Sequence, residues 1–138
     1  VKSGKLTIKG NGKIQSSDSQ YSMAIWANGG DVDIYGGSYY NEGRGSDLIY
    51  ASAGGNVNIY GGEFIACKKV GNVAGTANIY TALNIKDRDR DKSSIKVYGG
   101  KFYKFDPANN LSEGPNTNFV AEGYRSIKDH DWFMVSAE

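Results

Sequence analysis

The chain has 138 residues, enough for one domain, and its 16 Lys+Arg against 15 Asp+Glu leave a net charge of +1. That balance excludes the basic excess expected of a nucleic-acid or anionic-membrane binder, and no apolar run is long enough to cross a bilayer. Nineteen Gly beside two Pro and 12% aromatic residues exclude a disordered composition and predict short strands joined by tight, positive-φ turns.

In chain order, Lys5-Leu6-Thr7-Ile8-Lys9-Gly10-Asn11 is the weak first copy of a repeat. A strand at Met23-Ala24-Ile25-Trp26-Ala27 precedes the second copy, Asp31-Val32-Asp33-Ile34-Tyr35-Gly36-Gly37, which runs into aromatic Ser38-Tyr39-Tyr40. The same order returns as Leu48-Ile49-Tyr50-Ala51, then Asn56-Val57-Asn58-Ile59-Tyr60-Gly61-Gly62, then Glu63-Phe64-Ile65-Ala66. Next to this strand stands the lone Cys67, read as a small buried residue; no internal disulfide is possible. Ala77-Asn78-Ile79-Tyr80 reads as the next strand of the Met23-to-Ala27 type. The fourth copy is Ser94-Ile95-Lys96-Val97-Tyr98-Gly99-Gly100, continued by Lys101-Phe102-Tyr103-Lys104-Phe105.

The steps from Leu6 to Val32, Val57 and Ile95 are 26, 25 and 38 residues. Within each copy the apolar residues alternate, so Leu6/Ile8, Val32/Ile34, Val57/Ile59 and Ile95/Val97 face one side. Stacked in register they form internal columns, with the Gly-Gly pair as a corner. The expected fold is all-β: a short parallel β-helix, or solenoid, with three strands per coil and four to five coils rising roughly 4.8 Å each. A β-sandwich is the rival, and the fixed-period repeat favours the solenoid. Residues 1–105 would be the coils and 106–138 an irregular final coil with a C-terminal cap, all one domain.

The long third step contains Lys86-Asp87-Arg88-Asp89-Arg90-Asp91-Lys92, which reads as a solvated loop extruded from the column. Its functional counterpart is a contact loop, since insertions on rigid scaffolds often bind. Phe119-Val120-Ala121 is a further strand of the Met23-to-Ala27 type. Tyr124-Arg125-Ser126-Ile127 and Trp132-Phe133-Met134-Val135 read as a hairpin turning at residues 128–131, whose aromatic residues would cover the column end. No comparable N-terminal cap is seen, no signal peptide or lipidation motif appears, and the chain starts at Val. These features are expected of a piece of a longer protein.

Asp31 and Asp33 are expected on one exposed face, with Thr7, Asn58 and Lys96 in the column of Asp33. Neighbouring coils thus offer no second acidic row for glycoside hydrolysis or calcium binding. Glu42 and Glu63 have no evident partner. His130 sits between two Asp in a turn, and no zinc set, catalytic triad or phosphate loop is visible. No catalytic residue, metal ligand or cofactor is therefore expected. The candidate interaction surface is the outward column Tyr35, Tyr60 and Tyr98, headed by Lys9, together with Asp87, Arg88, Asp89 and Arg90. Stacked tyrosines stabilise a solenoid, and an exposed aromatic strip can also bind sugar rings or a second copy.

The repeated Ile-Tyr-Gly-Gly-x-Phe/Tyr element resembles the right-handed parallel β-helices of pectate-lyase-like proteins and phage tailspikes. The stretch Asn116-Thr117-Asn118-Phe119-Val120-Ala121-Glu122-Gly123-Tyr124, after Gly99-Gly100-Lys101-Phe102 and Asp106-Pro107, resembles the ends of β-helical proteins from gut Bacteroides phages and prophages. The resemblance implies right-handed coils, also the usual crossover hand, and a virion, tail or extracellular surface component. It further implies self-association as a homotrimer and a glycan or host-surface receptor as partner; the charge balance and the lack of a spanning apolar run argue separately against nucleic acid and membrane insertion. The acidic cluster of depolymerase tailspikes is missing. The sequence thus favours a non-enzymatic structural or receptor-binding module over two alternatives, a polysaccharide-binding or -degrading β-helix and a bacterial surface adhesin domain.

Overall fold

The computed structural model describes residues 1–17, 22–41, 47–66 and 81–138. In chain order the strands are β1 (Lys5–Ile8), β2 (Lys13–Gln15), β3 (Ile25–Asn28), β4 (Asp31–Ile34), β5 (Ser38–Tyr40), β6 (Ile49–Ser52) and β7 (Asn56–Ile59). They continue as β8 (Glu63–Ile65), β9 (Leu83–Ile85), β10 (Ser94–Val97), β11 (Gly100–Tyr103), β12 (Tyr124–Asp129) and β13 (Trp132–Ala137). Among the described residues, one 3₁₀ turn, Asp87–Asp89, interrupts this all-β order.

The strands build three sheets, and the chain visits them in the same order on each circuit. The first sheet is β1-β4-β7-β10 and the third is β3-β6-β9, both wholly parallel. The second runs β2-β5-β8-β11 in parallel and then gains β13 and β12 antiparallel. Each neighbour in a parallel stretch is thus the equivalent strand of the next repeat.

Register follows the apolar alternation. Leu6, Val32, Val57 and Ile95 form one inward row of the first sheet, and Ile8, Ile34, Ile59 and Val97 the other. The second sheet contributes Ile14, Tyr39, Phe64, Phe102 and Phe133; the third contributes Ile25-Ile49-Leu83 and Ala27-Ala51-Ile85. Tyr39, Phe64 and Phe102 stack with ring centroids 5.0 and 4.7 Å apart. Each fully buried residue of Val, Ile or Phe type contributes roughly 1.5–3 kcal/mol, so every circuit adds to one continuous core. At the end of that core Leu6 stays 39% exposed, while Val1 lies beside β3, its ammonium donating to the Trp26 carbonyl at 2.7 Å.

The corner between first and second sheets explains the glycine pair. A Cβ on Gly61 would lie 2.6 Å from the Tyr35 carbonyl oxygen, too close for any side chain, and Gly62 holds φ +113°. The pattern repeats at Gly36-Gly37 and Gly99-Gly100.

Four expectations need correction. The strand that pairs with β6 is Leu83–Ile85; Ala77-Asn78-Ile79-Tyr80 lies outside the described residues, as does Cys67. The extra length of the third step falls mostly between β8 and β9, across residues 66–82, and only in part at residues 86–93. Val120 bridges Val97 of the first sheet, so Phe119-Val120-Ala121 is not of the Met23-to-Ala27 type. Finally, the hairpin reaches Asp129 before it turns and extends the second sheet by pairing β13 with β11. Buried Phe105 and Phe119 join the core beside it.

Candidate functional site

Two outer faces carry side chains that could meet a partner. The first follows from the repeat. Tyr35, Tyr60 and Tyr98 each come one residue after a first-sheet strand, where alternation turns the side chain outward. Their backbone amides extend the parallel ladder, donating to the carbonyls of Ile8, Ile34 and Ile59 at 2.9, 2.7 and 2.7 Å. The rings therefore stack at nearly the strand spacing: 4.7 Å and 12° for Tyr35–Tyr60, 4.9 Å and 15° for Tyr60–Tyr98. Lys9 Nζ caps one end, 5.7 Å from the Tyr35 centroid, and Tyr124 meets Tyr98 edge-on at the other. Tyr35 and Tyr60 are 49% and 40% exposed, but their faces are spent on each other. What the column offers a partner is ring edges and hydroxyls. The Tyr60 hydroxyl is pushed above the usual phenol range, first by lost hydration and then by the field of Asp33.

Asp33 lies beside this column and is buried, not exposed as its sequence position suggests. It accepts a 3.1 Å hydrogen bond from the Asn58 amide and pairs with Lys5 Nζ at 3.0 Å. Burial opposes its charge, but these two partners outweigh it and hold the carboxyl below the usual range.

The charged segment is not a free loop. Asp87 and Arg88 are exposed, whereas Asp89 turns inward and is buried. Asp89 accepts the Ala53 amide at 2.7 Å and pairs with Lys92 at 3.3 Å. Ser93 Oγ accepts the Gly54 amide at 2.9 Å, so the segment is stitched to the corner between β6 and β7. The Ala53 hydrogen bond, ahead of Lys92, holds the Asp89 carboxyl below its usual range. Arg90 bridges Asp87 at 3.1 Å and Glu113 at 3.0 Å. The tyrosines thus form one surface, and Asp87, Arg88 and Arg90 another at a separate corner.

No family model, curated protein or solved structure matches the chain. The functional reading rests on the faces themselves.

The second face lies outside the third sheet, where register aligns Trp26, Tyr50 and Asn84. Trp26 is 47% exposed, yet its ring is held: Nε1 donates to Ser52 Oγ at 2.8 Å, and Ser52 donates to Asn28 at 3.0 Å. Trp26 meets Tyr50 edge-on at 6.2 Å and 68°, an arrangement that leaves ring face uncovered. Asp47 accepts the Asn84 amide at 3.0 Å. Burial, reinforced by the field of Glu113, pushes the Asp47 carboxyl up to about 6. The Asn84 carbonyl oxygen is buried without a hydrogen-bond partner among the described residues. Glu113 reaches in from the irregular segment to accept the Ile85 amide at 3.0 Å.

Sequence reasoning missed this face. Trp26 and Tyr50 occupy equivalent places in two strands, which aligning those strands would have shown. Nothing in the sequence links Glu113 to Ile85 or Asp47 to Asn84, because neither pair belongs to the repeat.

Proposed function

We propose that the chain is a short right-handed parallel β-helix of three strands per coil, serving as a non-enzymatic structural or receptor-binding module on a virion or cell-surface appendage. The observation that carries this reading is the unbroken register of equivalent residues through the parallel strands of all three sheets. Such a column is stiff: inner aromatic and aliphatic rows and an outer tyrosine row all bond between neighbours, and corner segments are held in place. Rigid presentation lowers the ordering cost of binding. The test is a broad polysaccharide panel with the purified chain, read for new reducing ends, beside binding of labelled chain to intact bacterial cells. Binding without product supports the proposal; product formed in proportion to protein overturns it.

The Trp26 face favours a second reading, a polysaccharide-binding surface. An immobilised, half-exposed indole face can stack on the C–H face of a sugar. Affinity electrophoresis through polysaccharide-containing gels tests it: the chain should be retarded and Trp26→Ala should not. Equal mobility of the two in every gel removes this reading.

A further inference from the structure

We propose that β12 is a self-pairing edge, through which two copies of the chain join about a twofold axis at Ile127. β12 is the terminal strand of the second sheet. Glu138 donates its amide to the Gly123 carbonyl at 2.9 Å, in continuation of the β12–β13 register. Hydrogen-bonded pairs alternate in an antiparallel ladder, so residues 125, 127 and 129 bond inward to β13. The backbone groups of Ser126 and Lys128 then point away from the sheet, and they make no backbone hydrogen bond outside it among the described residues. This is an open template for another strand.

The side chains select the partner. Arg125, Ile127 and Asp129 share one face and are exposed, and Ile127 sits opposite Met134, both 46% exposed. Beside them runs a groove of about 670 Å³ lined in part by Lys101 and the Gly61-Gly62 corner. An antiparallel copy centred on Ile127 places Ile127 opposite Ile127, with Ser126 and Lys128 exchanging backbone hydrogen bonds across the axis. The same register puts each Arg125 opposite Asp129 of the second copy. Ile127–Ile127 and both Arg125–Asp129 pairs then occupy non-hydrogen-bonded positions, where facing side chains come closest. Arg125 has no ion-pair partner among the described residues. Asp129 shares one oxygen with His130 at 2.7 Å, leaving the other for Arg125.

Edge charges often discourage pairing. Here they are complementary in the Ile127-centred register: moving the axis one residue to Lys128 would set Lys128 against Lys128, and moving it to Ser126 would set Arg125 against Ile127 and leave its charge unpaired. An isologous contact of this kind closes with two copies, in contrast to the trimer implied by the resemblance. It does not depend on the display role proposed above.

The test is sedimentation equilibrium of the full chain, Arg125→Asp, Asp129→Arg and an equimolar mixture of the two variants. The wild type should dimerise, and each variant should self-associate about tenfold more weakly or not at all, because both cross-strand pairs become like-charged. The mixture should dimerise again, since one variant then presents only aspartates at these two positions and the other only arginines. That recovery also shows both variants folded. A monomeric or trimeric wild type, undiminished variant dimers, or a mixture that stays monomeric overturns the proposal.

Discussion

The outer faces of the first and third sheets are built on the same spacing but use it differently. On the first, one residue type repeats, and each tyrosine satisfies the next. On the third, Trp26, Tyr50 and Asn84 differ, so an indole face, a buried amide oxygen and a carboxyl without a cation partner among the described residues are left over. A repeat fills its own surface, and departures from the repeat leave groups able to meet something else.

The largest expected effect removes what both faces share. Phe64→Ala opens the middle of the inner aromatic stack and should cost about 3–5 kcal/mol in chemical denaturation. Less than about 1 kcal/mol would mean that the sheets stand without their core. Tyr60→Ala, the central rung of the outer stack, loses two ring contacts and should cost about 1–3 kcal/mol. An effect below that of the end rung Tyr35→Ala would refute a cooperative ladder.

Asp47 tests the other face through pH. Its raised carboxyl, at about 6, binds a proton in the folded chain where the unfolded chain has released it. Its contribution to stability is complete below the usual Asp range and is lost as pH rises through about 6. Asp33 and Asp89 have lowered values, so theirs is present above that range and lost as pH falls through the lowered values. Asp47→Asn should therefore stabilise by about 1–3 kcal/mol near neutral pH and by almost nothing near pH ~4; a gain equal at both pH values would locate its cause elsewhere. Trp26→Ala should cost about 1 kcal/mol or less, separating any loss of ligand from loss of fold.

The Val-x-Ile-Tyr-Gly-Gly element made the first two sheets, their register and the tyrosine column legible in advance, because period-two alternation and a fixed step leave little choice of partner. Where the step changed, that logic failed. Ala77-Asn78-Ile79-Tyr80 imitates Val57-Asn58-Ile59-Tyr60, but Leu83–Ile85 is the strand alongside Ile49; short apolar runs are distinguished only by their neighbours. Residues 86–92 hold no apolar side chain and so read as solvated, yet Asp89 is buried by a backbone amide, a partner that side-chain patterns do not display. Glu113 bonds to Ile85 and Arg90 from a segment outside the repeat.

The tyrosine column also has an optical consequence. Three nearly parallel phenols spaced 4.7 and 4.9 Å apart are close enough for their electronic transitions to mix. The folded chain should then absorb and emit partly as one extended chromophore, and Tyr60→Ala would separate Tyr35 from Tyr98. The near-ultraviolet spectrum thus reports stacking of the coils directly, without a label.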